Sequence, residues 1–265
     1  MYGYEERKMK DFLRGFPIAF SMYSKIPMPT VKWEENSLRY ALCFFPLIGL
    51  VIGAVQVGLF FHLTALGFGT MFRSAFLFIA PILITGGIHM DGYMDTKDAM
   101  SSYQTKERRL EIMKDPHIGA FSVISLIGYS LLYFGALSEL EDEREILLFA
   151  PCFVISRALS AVCFITIPSA RKDGLQKTFA DAMQRKAIWI SSGLYLSVTF
   201  GACACIDRLE AIVLMCVAAF MYVLYQSFAK EKFGGITGDL AGYYLQIQEL
   251  VFLLVIVAWS RLIIF

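Results

Sequence analysis

The sequence predicts an all-α fold, a polytopic membrane helix bundle with about seven transmembrane helices plus an N-terminal interfacial or partly inserted helix. Two observations predict it. Hydrophobic residues make up 57% of the 265 residues and the mean hydropathy is +0.58, which is too apolar for a globule bounded by water. The apolar residues also form long runs between polar connections. No low-complexity tract or change of composition divides the chain, so residues 1–265 are predicted to form a single domain.

Seven stretches approach the roughly 20 mostly apolar residues that a spanning helix needs. They cover residues 42–66, 75–88, 118–137, 146–167, 188–206, 211–228 and 250–265, of which the second is short. An eighth stretch, residues 11–28, is interrupted by Arg14, Pro17 and Lys25. Such interruptions favour a helix that lies at the membrane interface or enters it only partway.

The distribution of Lys and Arg predicts the orientation, because these residues accumulate in the short cytoplasmic loops of membrane proteins. Nineteen of the 24 lie in the segment up to Arg39 and in three polar loops, residues 89–117, 168–186 and 230–246. Four lie in the alternate connections and the C-terminal segment. The N-terminus and the three loops are therefore predicted to be cytoplasmic. A net charge of only +1 gives no indication of nucleic acid as a partner.

The strongest chemical signal is the segment GGIHMDGYMDTKDAM, residues 86–100. On a helix, Asp91, Asp95 and Asp98 share one face, where three carboxylates repel one another unless a cation neutralises them. Oxygen ligands at this density suit Mg²⁺, which commonly bridges to substrate phosphates. The alternative is an ordinary solvated acidic loop whose charge is partly balanced by Lys97.

The second polar loop places Asp115 and His117 immediately before a glycine and the third long span. Helix N-termini attract phosphate, and His117 can donate to a phosphate oxygen or shuttle a proton. The nearby basic residues can compensate an anionic substrate; they are Arg108, Arg109 and Lys114. The alternative is that these basic groups only set topology and contact lipid headgroups.

The third loop is rich in glycine around Asp239, within the sequence FGGITGDLAG. Gly235, Thr237 and Gly238 there permit close backbone approach to a phosphate or sugar, although glycines that serve only a tight turn are the usual explanation. The segments at 86–91 and 234–239 share the pattern GGIxxD, a faint internal repeat of the kind seen in transporter-like folds.

Arg157 is the one charged residue well inside a predicted span. Burying it is costly without a partner, so we expect an Asp of the cluster, a substrate phosphate, or snorkelling to the boundary. Arg171 lies at the cytoplasmic end of the same span and can reach the same anion.

These segments resemble the cobalamin synthases, a family also called cobalamin-5′-phosphate synthase or adenosylcobinamide-GDP ribazoletransferase. GGIHMDGYMDTKDAM, ERRLEIMKDPHIGAF, PSARKDGL and FGGITGD occur in the family's order, and the early YSKIPMP is also similar. The resemblance runs from about residue 20 to residue 249. Two positions depart from the family pattern: Ala99 stands where Gly is usual, and His117 where Arg is frequent.

The resemblance implies a Mg²⁺-dependent enzyme in the cytoplasmic membrane of a prokaryote, which joins adenosylcobinamide-GDP to α-ribazole or its 5′-phosphate and releases GMP. It implies that Asp91, Asp95 and Asp98 bind the metal, and that Asp115 is a further ligand or the catalytic base, with His117 beside it. The residues expected to contact substrate are His89, Arg157, Arg171, Gly235, Thr237, Gly238 and Asp239. The protein is expected to contact the lipid bilayer. A homo-oligomer and association with other cobalamin-pathway enzymes are both possible partners under this resemblance.

Two other classes are weighed against this one. A CDP-alcohol phosphotransferase or an aromatic prenyltransferase also uses Asp-rich helices with Mg²⁺, but the DGxxAR and paired NDxxD-like patterns are absent from the sequence. A secondary transporter needs polar groups near the bilayer midplane, whereas the polar residues here are concentrated in the loops of one side.

Overall fold

The computed structural model describes residues 2–171 and 183–263, and these residues form eleven helices and no sheet. In chain order they are α1 (Tyr2–Tyr23), α2 (Glu35–Leu38), α3 (Ala41–Ala65), α4 (Thr70–Thr85), α5 (Ile88–Ser101), α6 (Lys106–Ile112), α7 (Ala120–Ser138), α8 (Glu143–Thr166), α9 (Arg185–Ile206), α10 (Arg208–Phe233) and α11 (Gly238–Ile263). The prediction of an all-α fold is confirmed.

Six of these helices, α3 and α7 to α11, are long and apolar enough to cross a membrane. Helices α4 and α5 together pass the same test but are bent by 93° at their junction, which gives up to seven spans among the described residues. The protein is therefore a multi-pass membrane protein, and its six to seven candidate spans agree with the predicted count of about seven.

The bend between α4 and α5 has a local cause in two successive glycines. Gly86 and Gly87 have φ of +68° and +81°, in the left-handed region that other residues rarely adopt. The helix stops there and restarts in a new direction. Because α5 carries four charged residues in 14 and leaves α4 at nearly a right angle, we treat α5 as lying outside the spanning segments.

Helix α8 lies at the centre of the bundle. The apolar window of α8 is 83% buried, compared with 22% for α9 and α10, whose exposed apolar side chains face lipid. Two glycines on α3 let its backbone approach α8 closely: a methyl group on Gly49 would overlap the carbonyl oxygen of Phe153, and one on Gly53 would lie 2.5 Å from that of Ala150. Small residues four apart commonly allow such contact between membrane helices.

The long helices α3, α4 and α7 to α11 run in alternating directions, so their connections gather at two ends. At one end, the backbone N–H of Lys25 donates to Ile84 and that of Gln184 donates to Arg39. This end, which holds α5, α6 and the starts of α7 and α11, is called the site end. At the opposite end, Arg261 pairs with Glu139 at 2.9 Å. The described parts of the predicted polar connections lie at the site end, whereas most of the predicted loop 168–186 falls on residues 172–182, outside the described residues.

The predicted loop 230–246 was wrong, because it is helical except for residues 234–237. Helix α11 begins at Gly238, twelve residues before the expected span. Gln248 and Glu249 lie just before the predicted start of the last span, where polar residues are unusual. They are 0% and 2% exposed and lie inside the bundle. The expected N-terminal helix also differs: α1 begins at Tyr2 and ends at Tyr23, where it packs on α3 through Ile18 and Ala19.

Candidate active site

The three aspartates of the first polar segment lie on α5, as the helical spacing predicted. Asp91 is exposed, and Asp95 and Asp98 are half-buried. Burial first, and then the charges of Asp91, Asp239 and Asp98, raise the pKa of Asp95 to about 6. Without a counter-cation, this face of α5 is therefore electrostatically unfavourable.

Asp115 and His117 lie across a small cavity from the α5 carboxylates. Oδ1 of Asp115 accepts a hydrogen bond from the backbone N–H of His117 at 3.0 Å and lies 2.6 Å from its ring Nδ1. These two bonds hold the pKa of Asp115 below its usual range. The cavity is about 80 Å³ and is lined by Asp91, Asp95, Asp98, Asp115 and His117. The family resemblance implied that Asp115 acts together with these aspartates, whereas the spacing along the chain did not indicate it.

A close crossing of α5 and α11 brings Asp91 and Asp239 to the same place. A methyl group on Gly92 would lie 2.5 Å from the carbonyl oxygen of Asp239, and one on Gly242 would lie 3.0 Å from that of His89. The two backbones therefore meet at glycines on both helices. The GGIxxD pattern occurs at corresponding places, since each copy ends one helix and leads into the next.

The turn between α10 and α11 forms a compact junction with the end of α8. Gly235 has no room for a side chain, because a methyl group there would overlap the carbonyl oxygen of Pro168. The hydroxyl of Thr237 accepts from the backbone N–H of Leu240 at 3.1 Å and caps α11. Gly238 is the exposed first residue of α11, and Asp239 follows it, with Oδ2 3.5 Å from Nη2 of Arg171.

Arg157 does not pair with an aspartate of the cluster. Its Nη1 donates to Oε1 of Glu249 at 2.6 Å, and Ser156 donates to the same oxygen at 3.0 Å. Arg157 and Glu249 are 1% and 2% exposed, so the pair is fully inside the bundle. The expectation of a cluster aspartate as the counter-ion was therefore wrong. Glu249 was missed because it lies just before the predicted start of the last span.

His89 lies on α5, 5% exposed, with its ring 5.8 Å from that of Phe45 in an edge-to-face arrangement. It lines a second cavity of about 140 Å³ together with Asp91, Ser160 and Asp239. Ser160 was not predicted from the sequence, where it appears as one of several small residues of an apolar span.

The basic residues around α6 contact the end of α10. Nζ of Lys106 donates to the carbonyl oxygen of Lys230 at 3.2 Å, and Nη1 of Arg109 donates to that of Lys232 at 3.1 Å. These carbonyls belong to the last turn of α10, and that of Lys230 also accepts the backbone N–H of Gly234 at 3.1 Å. Arg108 pairs with Glu111 at 2.6 Å.

Across residues 2–171 and 183–263, no group of three His, Cys, Asp or Glu side chains is already arranged to hold a metal ion together. The carboxylates of α5 point along one face and do not form a closed cage. Mg²⁺ rarely uses a cage made only of protein ligands; it is usually held by one or two carboxylates, several waters and substrate phosphates. The donor set at this cavity fits that open kind of site.

The fold and the cavities define a multi-pass helical membrane protein with clustered carboxylates at one end of the bundle. The chain belongs to the cobalamin-5-phosphate synthase family, whose model matches residues 15–257. The resemblance in the ordered sequence segments is confirmed.

Individual relatives match almost the whole chain. A protein of Lachnoclostridium phytofermentans, named adenosylcobinamide-GDP ribazoletransferase, is 47% identical over 259 residues, which cover 96% of this chain and 97% of the relative. A protein of the same name from Clostridium botulinum strain Alaska E43 is 36% identical and covers 92% of this chain and 96% of its own. One from Pseudomonas fluorescens is 31% identical, with 91% and 93% covered. No solved structure matches the chain.

Proposed function

We infer that this chain is an adenosylcobinamide-GDP ribazoletransferase, which performs the nucleotide-loop step of cobalamin biosynthesis. The observation that carries the mechanism is the convergence of Asp91, Asp95 and Asp98 with Asp115 and His117 around one cavity. These residues come from α5 and from the segment before α7, and they suit the handling of a diphosphate at a membrane surface.

In the proposed reaction, a ribose hydroxyl oxygen of α-ribazole or its 5′-phosphate forms a bond to the phosphorus that carries cobinamide. The bond from that phosphorus to the bridging oxygen breaks, and the electron pair leaves with GMP. The hydroxyl loses its proton to a base of the site. Such a transfer depends mainly on placing the nucleophile in line and on stabilising charge on the phosphoryl oxygens.

We propose that Asp91, Asp95 and Asp98 hold Mg²⁺ together with the diphosphate of the donor. A bound Mg²⁺ would supply positive charge at the phosphoryl oxygens. The raised pKa of Asp95 and the repulsion among the carboxylates are relieved when a cation binds, which supports a metal at this face of α5.

We propose that Asp115 is a general base or a further metal ligand, which His117 holds through two hydrogen bonds. Arg171 would contribute positive charge beside Asp239, while the turn containing Gly235, Thr237 and Gly238 keeps these two residues in place. Arg157 is proposed to act indirectly, because its charge is already paired with Glu249. His89 is proposed to contact substrate in the second cavity.

We further propose that the protein lies in the cytoplasmic membrane of a prokaryote with its site end and N-terminus in the cytoplasm. The distribution of Lys and Arg supports this orientation, since nineteen of 24 belong to the N-terminal segment and the three predicted polar loops. Cytoplasmic substrates then reach the carboxylate cavity without crossing the bilayer.

The experiment is GMP release by the purified protein in liposomes, supplied with adenosylcobinamide-GDP and α-ribazole, with Mg²⁺ or with EDTA. Asp91→Asn is compared with Glu231→Gln, which changes an exposed carboxylate at the end of α10 that lines neither cavity. We expect Mg²⁺-dependent GMP and cobalamin from wild type and Glu231→Gln, and a loss of about a hundredfold or more in Asp91→Asn.

Absence of turnover in folded, membrane-inserted wild type would overturn the proposed activity. Turnover that continues in EDTA would contradict the proposed Mg²⁺ dependence. Full activity in Asp91→Asn would contradict the proposed role of Asp91.

A further inference from the structure

The second cavity, here called the His89 cavity, contains polar side chains that the described residues leave without partners. It is lined by Tyr23, Phe45, His89, Ser160 and Phe164, with Asp91 and Asp239 on its edge. Nε2 of His89 and Oγ of Ser160 have no hydrogen-bond partner among the described residues. Both side chains are more than nine-tenths buried, at 5% and 0% exposure. Buried polar groups without partners are costly, which indicates that a ligand or water completes them.

The walls of the cavity are largely aromatic. The rings of Tyr23 and Phe45 are 4.6 Å apart, and the ring of His89 meets that of Phe45 edge to face at 5.8 Å. Its volume is about 140 Å³. A cavity of roughly 150 Å³ is large enough to bind one benzene molecule, so one six-membered aromatic ring fits here. A second, fused ring would lie toward the open side of the cavity, where Asp91 and Gly238 are exposed.

The cavity opens toward the carboxylates that the proposed function assigns to metal and substrate. Asp91 and Gly238 are exposed parts of the lining, whereas His89, Ser160 and Phe45 are buried. A ring inside the cavity would therefore leave its attached sugar beside Asp91 and Asp239. That is where a nucleophilic ribose hydroxyl is needed.

We propose that the His89 cavity binds the benzimidazole base of the acceptor, with the hydroxyl of Ser160 donating to the unprotonated ring nitrogen. The inference rests on the proposed function for the identity of the acceptor. Benzimidazole offers one acceptor nitrogen and an otherwise apolar ring, which matches a mainly aromatic cavity with few polar groups. The guanine of the donor carries several donors and acceptors, and the buried lining supplies too few partners for them.

The test measures two quantities on the full-length protein in liposomes: binding of labelled α-ribazole by equilibrium dialysis without donor, and KM for each substrate. Ser160→Val removes the hydroxyl and narrows the cavity. The matched control is Ser197→Val on α9, whose exposed hydroxyl donates within its own helix to Gly193 at 2.8 Å. Ser160→Ala, which removes only the hydroxyl, replaces Ser160→Val if the latter loses its melting transition.

We expect Ser160→Val or Ser160→Ala to weaken α-ribazole binding and raise its KM by about threefold to tenfold, the worth of one hydrogen bond. The KM for adenosylcobinamide-GDP and the behaviour of Ser197→Val should not change. An acceptor analogue with carbon in place of the ring nitrogen should bind wild type and Ser160→Ala equally, because the hydrogen bond is absent in both.

The outcomes separate this inference from the proposed function. If α-ribazole binding depends on Ser160 but the protein releases no GMP, acceptor binding in the His89 cavity is supported and the proposed transferase activity is overturned. A raised KM for the donor alone would place the donor base in the cavity and overturn the inference. Unchanged binding and KM values in an active enzyme would mean that the acceptor does not bond to Ser160, and would also overturn the inference.

Discussion

At the residue scale, Asp115 and His117 are joined by hydrogen bonds, and we expect them to contribute unequally to transfer activity. His117 contacts Asp115 through both its backbone N–H and its ring, and it is itself 89% exposed at the side chain. We therefore propose that His117 holds Asp115, whose carboxylate lines the cavity that contains the α5 aspartates. A side chain with other donors can replace His117, but an amide cannot replace the charge of Asp115.

We expect Asp115→Asn to lower kcat by about a hundredfold or more, since a general base or metal ligand is lost. His117→Arg should retain activity within about threefold, because the backbone bond remains and the guanidinium can still donate. GMP release at saturating substrate measures both. Equal losses in the two variants would instead make His117 a catalytic group in its own right.

The buried pair of Arg157 and Glu249 gives a second prediction at this scale. Arg157→Met leaves Glu249 unpaired inside the bundle and should lower the free energy of unfolding by about 3–5 kcal/mol. The double variant Arg157→Met with Glu249→Leu should recover most of that loss, as measured by denaturant unfolding in detergent.

Transfer activity of the double variant then separates the two roles of Arg157. Activity near that of wild type supports an indirect role, whereas a folded but inactive double variant would mean that the guanidinium itself contacts substrate.

At the element scale, glycines determine how closely the helices approach. Gly49 on α3 lies against the backbone of α8, whereas Gly58 on the same helix has nothing within 4 Å of an added methyl group. Gly49→Leu should lower the free energy of unfolding by about 3 kcal/mol or more, because α8 is the central helix and its backbone cannot move away. Gly58→Leu is the control and should leave the melting temperature unchanged or slightly higher.

The crossing of α5 and α11 can be tested separately from stability. Gly92→Ala places a methyl group 2.5 Å from the carbonyl oxygen of Asp239, so the two helices must separate and Asp91 moves away from Asp239. We expect at least a tenfold loss of transfer activity in a protein that remains folded and inserted, because small displacements of reacting groups are costly. Gly128→Ala on α7, with open space around it, should be as active as wild type. Wild-type activity in Gly92→Ala would mean that Asp239 does not need its place beside Asp91.

At the scale of the whole molecule, the alternating helices put the turn after α10 and the turn before α8 at opposite ends. We expect a cysteine introduced by Glu231→Cys to react with a membrane-impermeant reagent only after the cells are permeabilised. A cysteine introduced by Glu141→Cys should react in intact cells. The native cysteines are replaced by alanine or serine beforehand, and the parent without cysteines is the control. The reverse pattern of labelling would contradict the orientation inferred from Lys and Arg.

Much of this architecture was predictable because it depends on local sequence. Apolar runs predicted the spans, and the spacing of Asp91, Asp95 and Asp98 predicted one helical face, since helical periodicity is fixed by residues a few positions apart. The predicted start of the last span was wrong, because α11 begins at Gly238. Gln246, Gln248 and Glu249 look like loop residues in the sequence, whereas two of them are fully buried in the bundle.

Other features depend on which helices meet, and only the tertiary structure decided them. The ion pair joins residues 92 positions apart in the chain. The His89 cavity combines α1, α3, α5, α8 and α11, and the crossing at Gly92 and Gly242 places Asp91 beside Asp239. By itself, the sequence determined that this is a helical membrane protein of a recognisable family with three aspartates on one helical face. The sequence did not determine which residues contact Arg157, His89 and Asp239. Apolar helices in lipid are compatible with many arrangements, and close contacts between small residues select one of them.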